Sequence, residues 1–284
     1  MTQFPPDVYA LIDAAVAEDQ TFNDPTTQAV VPPEIQGTGM LRAKAHGVLA
    51  GVDVAMAVFL RVDPTLDVKA ILQDGASLAP GSDIAVVRGS AAGILRAERI
   101  ALNFMQRMSG IASDTNRYVE AVKGLNTRIV DTRKTAPGHR YLDKYSVRMG
   151  GGYNHRLNLA DGILIKDNHI QANAFREMGL KDVIRLALAR ASHTIKVEVE
   201  VENMEQVKVA LEAGAHIIML DNMSVPEMAD AMKVIGDQAI VEASGGIIYD
   251  TVRAVAETGV DLISIGGLTH SVDALDISLD LEFD

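Results

Sequence analysis

Apolar residues at Val8, Leu11, Ile12, Ala15 and Val16 recur at the three- and four-residue spacing of an amphipathic helix that opens after Pro5 and Pro6. From Gly37 to about Ser90 the pattern shortens. MLRAKAHGVLAG, VKAILQDG and DIAVVRG are separated by Gly, Pro and Asp turn signals, which predicts a small antiparallel sheet. Ala91 to Gly124 reads as helix, with Ile94, Leu95, Phe104, Met105 and Met108 on apolar faces and a break expected at Ser109-Gly110. A first α+β domain over 1–108 is the simplest account.

After Thr127 the pattern becomes strand, helix, strand: RIVDT, GILIK, TIKVEVEV, HIIMLDN, AIVEASG and DLISIGG, with amphipathic helices between most of them. NMEQVKVALEAG, SVPEMADAMKVIG and IYDTVRAVAETG have the length of crossover connections, so the strands are expected to be parallel. Six such strands predict an incomplete, TIM-like α/β barrel over 109–270, with a doubly wound open sheet as the alternative. The segment 271–284 is expected to pack back on the first domain. KVEVEVE bears on the choice, because a parallel strand covered on both faces should be continuously apolar. Its alternation turns Val197, Val199 and Val201 to the helices and Glu198, Glu200 and Glu202 to the interior or mouth of a barrel.

Composition adds exclusions. The 284 residues are 48% apolar and 23% charged, which fits a globular protein with a sizeable core. No stretch of about eighteen apolar residues is present, and MTQFPPDVYA lacks the pattern of a secretion signal, so a cytoplasmic, non-membrane protein is expected. Without cysteine there is neither a disulfide nor a thiolate metal site, leaving carboxylates, histidine and water, a set suited to a hard cation such as Mg2+. The net charge of −12 argues against a general nucleic-acid binder. Yet Asp131 to Arg156 carries six Lys and Arg against two Asp, a basic island suited to a small anionic ligand.

Functional groups in a barrel gather at the carboxyl ends of its strands. Here those ends carry Arg133 and Lys134, Lys166, Glu200, Asp221, and the glycine turns Ser244-Gly245-Gly246 and Gly266-Gly267. Taken singly, each has an ordinary explanation: a solvated cation, a helix cap for Asp221, a structural histidine for His155, a turn for each glycine pair. Two glycine turns on the last two strands match the usual place for phosphate in such barrels. Recurrence at successive strand ends favours one shared site.

The run DTRKTAPGHRYLDKYSVRMGGGYNHR, followed by ILIKDNH, resembles the signature of the quinolinate phosphoribosyltransferases. RAERIALNFMQRMSGIA, EVEVE, LDN, EASGG and GLTHSVDALDISLD extend the resemblance over nearly the whole chain. It implies an N-terminal α+β open-faced sandwich, a C-terminal incomplete α/β barrel and a homodimer. The implied reaction joins quinolinate to phosphoribosyl pyrophosphate with Mg2+, giving nicotinate mononucleotide, pyrophosphate and CO2, a pentosyl transfer of NAD biosynthesis. Carried onto matching positions, Arg133, His155, Arg156 and Lys166 line the quinolinate pocket, with Thr132 and Lys134 close by and Arg99 reaching the partner subunit's site. Glu200 and Asp221 sit around ribose and Mg2+, and Ser244, Gly245, Gly246, Gly266, Gly267 and Leu268 hold the ribose phosphate. Lys134 or Lys166 assists protonation. The chain departs from the family pattern at Asn23-Asp24-Pro25.

The chemistry of the substrates agrees with this division by charge: two carboxylates and three phosphates need cations, and Arg forks suit carboxylates. An oxocarbenium-like state needs nearby carboxylates. Rival readings are a related phosphoribosyltransferase acting on another pyridine or pyrimidine carboxylate, such as nicotinate, and a non-catalytic anion-binding barrel. Glu200 and Asp221 argue against the second, since carboxylates repel an anion unless a metal intervenes.

Overall fold

The computed structural model describes residues 4–283; residues 1–3 and 284, the outer ends of the segments drawn from the sequence, lie outside the described residues. In chain order the principal elements are α1 (Pro6–Glu18), β1 (Gln36–Ala43), α2 (Val52–Val62), β2 (Asp67–Ala70), β3 (Asp83–Ser90), α3 (Ala91–Ala121), β4 (Arg128–Val130), α4 (Arg140–Met149), β5 (Ile163–Ile165), α5 (Leu180–Arg190), β6 (Val197–Val201), α6 (Met204–Ala213), β7 (Ile217–Asp221), α7 (Val225–Ile235), β8 (Ile240–Ser244), α8 (Tyr249–Glu257), β9 (Leu262–Ser264) and β10 (Ile277–Phe283). They form two compact units. One runs to Asn116 and takes in Thr135–Gly151 and the chain from Leu268 onward; the other comprises Arg117–Lys134 and Gly152–Gly267.

The first unit is α+β. Its antiparallel sheet has the order β10-β1-β3-β2, so the last strand of the chain lies beside β1, with Leu279 opposite Leu41. The apolar spacing noted at the start of the chain becomes one buried stripe of α1, Val8, Ile12 and Val16, in the same core as Val58 and Phe59 of α2. Pro6 occupies the first turn of α1, where its missing N–H costs no helical hydrogen bond. The departure at Asn23-Asp24-Pro25 has a local logic. Asp24 caps a short helix, Pro25–Val30, accepting from the N–H groups of Thr26 and Thr27, and Pro25 stands at its first position.

The break expected at Ser109-Gly110 does not exist. α3 continues through both residues, and the first compact unit takes in the chain as far as Asn116. The small residues serve close packing instead. Ser109 Oγ accepts from Ala50 N–H and donates to Ala50 O, and a Cβ at Gly110 would overlap the Asp273 carbonyl.

The second unit holds a six-stranded parallel sheet in the order β4-β9-β8-β7-β6-β5. From β5 to β9 each strand lies beside its predecessor, always advancing in one direction, and β4 adds on after β9. A doubly wound sheet reverses direction midway, so this order is that of a barrel. Among the described residues β4 and β5 do not pair with each other, which leaves the barrel incomplete; Tyr153 bridges to Val130 at that edge. α5 and α6 pack on β6, whose Val197, Val199 and Val201 are fully buried. The alternation in KVEVEVE therefore reads as expected for Glu198 and Glu200. Glu202 lies one residue beyond the strand and is exposed.

Candidate active site

Parallel register decides which side chains share the inner face. Glu198 and Glu200 stand opposite Ile217 and Met219, Met219 opposite Glu242, and Asp221 opposite Ser244. Register partners point to the same side of a sheet, and every second residue of a strand does so too. Glu198, Glu200, Asp221, Glu242 and Ser244 thus share the face opposite the buried valines of β6.

At the carboxyl ends of β5 and β6, Lys166 Nζ and Glu200 Oε1 form a tight ion pair. Ile165 pairs with Val199, so the residue after each comes out at the same height. The Arg156 guanidinium is partly buried, and its Nη1 donates to Gly162 O at 2.9 Å. Burial and the neighbouring Arg133 guanidinium pull the Arg156 pKa below its ordinary value, and Glu198 and Glu200 oppose that shift. Two guanidiniums close enough to repel, beside two carboxylates, make a charged niche with one positive side.

The segment Asn154-His155-Arg156 is clamped from several directions. Asp131, fully buried at the end of β4, accepts from Asn154 Nδ2 at 2.6 Å and from His155 N–H at 2.9 Å. The backbone N–H of Arg156 donates to His155 Nδ1 at 2.7 Å. The other ring nitrogen, Nε2, faces Glu198 Oε2 at 3.2 Å and Glu242 Oε2 at 3.6 Å. Glu198 and Glu242 are buried, and the Oε1 atom of each lacks a hydrogen-bond partner. Burial first, then the Glu198 charge, push the Glu242 pKa up to about 7.

These three side chains have the spacing of a metal site. The tautomer opposes it: Nδ1 accepts from Arg156, so the ring proton sits on Nε2, pointing where an ion would bind. The same interior residues reach a cavity of about 390 Å³ whose lining includes Arg128, Ile163, Ile217 and Leu262, the first residues of four strands. Arg156 and Lys196 also line it.

The remaining residues singled out in the sequence are placed as follows. Thr132, Arg133 and Lys134 lie on the loop after β4, where Thr132 Oγ1 accepts from Lys134 N–H at 3.1 Å. Asp221 ends β7 and accepts from Asn222 Nδ2 at 2.9 Å. It is not a helix cap, because Ser224 caps α7. Asn222, in the left-handed region at φ 55°, donates its N–H to Ser244 O and so ties the ends of β7 and β8. Gly245 (φ 89°) and Gly246 (φ 62°) need the left-handed backbone; a Cβ on Gly245 would overlap Asn222, whereas Gly246 faces open space. Gly266 precedes and Gly267 opens a short helix ending at His270. Leu268 is buried in the first unit, so any contact it makes with a ligand is through its backbone. Arg99 is exposed on α3, in the first unit.

Sequence reasoning did not single out Asp131, Asn154 or Glu242. The signal for Glu242 was present: AIVEASG carries one charge in an otherwise apolar strand, which demands a partner in the interior.

Comparison with known proteins agrees over the full length. The family described as the quinolinate phosphoribosyl transferase N-terminal domain matches residues 24–109, and that of the C-terminal domain matches residues 111–280. The carboxylating nicotinate-nucleotide pyrophosphorylase of Mycobacterium leprae is 42% identical, with 95% of each chain covered. The chloroplastic one of Oryza sativa is 41% identical over 97% of this chain and 78% of its own. The NadC crystal structure from Streptococcus pyogenes superposes with a TM-score of 0.93 at 39% identity, covering 100% of both chains. With both of its domains matched, and with whole-chain likeness in sequence and in fold, this chain belongs to the quinolinate phosphoribosyltransferase family.

Proposed function

We propose that the protein transfers a phosphoribosyl group from phosphoribosyl pyrophosphate to the ring nitrogen of quinolinate and releases pyrophosphate and CO2, forming nicotinate mononucleotide. The observation that carries this reading is the grouping of opposite charges around β5, β6 and β7. Arg133, Arg156 and Lys166 supply cations for a dicarboxylate, and Glu200 and Asp221 supply anions on the face they share. An anion-binding barrel has no use for the second set.

In this reading the two guanidiniums and Lys166 hold the quinolinate carboxylates and orient the ring nitrogen toward the anomeric carbon. Glu200 stabilises positive charge developing on the ribose. The turn at Ser244-Gly245-Gly246, followed by the amino end of α8, offers backbone N–H groups to the 5-phosphate. Once glycosylated, the cationic ring takes up the electron pair of the departing carboxylate, and Lys134 or Lys166 supplies the proton that replaces it.

Glu200 and Asp221 are also the candidates to hold Mg2+. Both are partly exposed carboxylates on one face at a strand end, hard oxygen donors that leave room for water and phosphate oxygens, so the residues fit the ion. Bound there, Mg2+ would neutralise the leaving pyrophosphate. We further propose a cytoplasmic homodimer in which the exposed Arg99 completes the partner's site. No helix among the described residues is long and apolar enough to cross a membrane.

The test is an assay of purified protein with Mg2+, quinolinate and phosphoribosyl pyrophosphate. Nicotinate mononucleotide and CO2 are expected in equal amounts, with nicotinate a poor substitute; preference for nicotinate would overturn the reading.

A further inference from the structure

We propose that Arg107 and Asp143 are positioning residues, which tie the loop carrying Arg133 and Lys134 to the short helix that follows the Gly266-Gly267 turn. This rests on the reading above, in which Arg133 and Lys134 serve quinolinate, and on that turn as a holder of the ribose phosphate.

Arg107 stands on α3 and Asp143 on α4, and the groups they bond lie in the first compact unit. Asp143 is fully buried. Its Oδ1 accepts from Arg107 Nε at 3.1 Å, and its Oδ2 accepts from Arg107 Nη2 at 2.9 Å and from the backbone N–H of Ala136 at 3.2 Å. Arg107 Nη2 also donates to the carbonyl oxygen of Thr269 at 3.3 Å. That nitrogen carries two hydrogens, so one goes to each acceptor.

The two backbone groups held in this way flank candidate site residues. Ala136 comes two residues after Lys134, and Thr269 two residues after Gly267. Within the loop, Lys134 N–H donates to Thr132 Oγ1 and Arg140 Nε to Thr135 Oγ1, so local bonds shape it from Thr132 to the start of α4. Asp143 fastens that loop to Arg107, and Arg107 fastens it in turn to the helix at Thr269.

Stability alone is a poor reason for such a pair. Burying an ion pair costs desolvation, and two apolar side chains of similar size hold helices together as well or better. An apolar pair offers nothing to Ala136 N–H or to Thr269 O. A guanidinium, with donors in a fixed plane, grips both carboxylate oxygens and a third acceptor at once; a lysine ammonium cannot keep that geometry. Asp143, buried and with both oxygens occupied, acts on substrate only through what it holds.

The experiment compares full-length Arg107→Lys with Ile84→Val, which removes one buried methylene from β3 of the same unit. Arg107→Lys should raise the KM of quinolinate and that of phosphoribosyl pyrophosphate together, each by about tenfold, since small displacements of binding groups are costly. Ile84→Val should leave both within about twofold of wild type while lowering the melting temperature. Amide exchange followed by mass spectrometry should quicken in Arg107→Lys over residues 132–138 and 266–271, and over neither in Ile84→Val. If the lysine variant does not fold, Arg107→Met combined with Asp143→Leu, which removes the buried charge from both sides, takes its place in the same comparison. Unchanged KM values, or changes no larger than those of Ile84→Val, would make the pair an ordinary structural bridge and overturn the proposal. A rise in one KM alone would overturn it in favour of direct contact with that substrate. Wild-type protein that makes no nicotinate mononucleotide would defeat the functional reading instead; exchange quickened at both segments would still support the link, and unchanged exchange would refute it.

Discussion

Lys166 and Glu200 meet as an ion pair at the ends of neighbouring parallel strands, β5 and β6, so one cation of the proposed quinolinate pocket and one anion of the proposed ribose site hold each other. Lys166 is about two-fifths exposed, and pairs of that kind add little stability, at most about 1 kcal/mol. Glu200→Gln should therefore leave the melting temperature within about 2 °C of wild type while lowering kcat by roughly a hundredfold and raising the Mg2+ concentration needed for half-maximal rate. A variant that loses stability and keeps turnover would make the pair structural.

Arg133 and Asp221 should separate binding from turnover. Arg133→Ala removes a fork for a carboxylate and is expected to raise quinolinate KM by roughly 10- to 100-fold. Asp221→Ala should act chiefly on kcat. The reverse pattern in steady-state kinetics would exchange the roles assigned to them.

Gly246 tests the phosphate turn. Alanine there pays only backbone strain, about 1 kcal/mol, because its Cβ would meet nothing within 4 Å. Gly214, left-handed at φ 86° and ψ 30° after α6 and with no atom nearer than 3.8 Å to an added Cβ, carries a left-handed strain away from the site and serves as the control. Both variants should melt alike, but only Gly246→Ala should raise the phosphoribosyl pyrophosphate KM, by roughly tenfold. Equal kinetics in the two would remove this turn from the site.

Glu242 imposes a pH dependence on stability. Its carboxyl titrates near 7 in the fold against an ordinary 4.5, so the folded state binds the proton more tightly than the unfolded chain. The stabilisation is full below about pH 4.5, falls as pH rises, and is lost once pH passes about 7, with an upper bound of about 3 kcal/mol. Chemical denaturation between pH 5 and 8 should show wild type losing stability relative to Glu242→Gln, which does not titrate. A constant difference across that range would count against the shift.

Gly110 tests the close approach that replaced the expected helix break. Alanine would force its Cβ into the Asp273 carbonyl, and buried overlap with backbone cannot be relieved by a rotamer change. A loss of about 1–3 kcal/mol is expected, seen as a melting temperature lower by roughly 3–10 °C. A Gly110→Ala protein as stable as wild type would show that the two segments separate readily.

Periodic elements were legible from the sequence because their signal is local. The stripe Val8, Ile12, Val16 and the alternation of Val197, Val199 and Val201 with glutamates each report one buried face. Strand-end residues were legible for a related reason, since Lys166, Glu200 and Asp221 interrupt apolar runs. What escaped was pairing over long sequence separations. Ser109 and Gly110 look like a helix breaker until Ala50 and Asp273 are seen against them. Nothing local in the sequence shows that Glu198 and Glu242, 43 and 87 residues further along the chain, come to the ring of His155. Asp131 looked like one more charge in a basic island, and only the fold shows it buried and accepting from Asn154 and His155.

The place of β10 beside β1 has a consequence for synthesis. The sheet of the first unit needs both β1 and β10, which follows the whole second unit in chain order, so during synthesis β1 keeps one open edge until β10 has emerged and paired. The half of the protein made first is thus the half completed last, and its unpaired edge is the surface that chaperones or aggregation would meet in the interval.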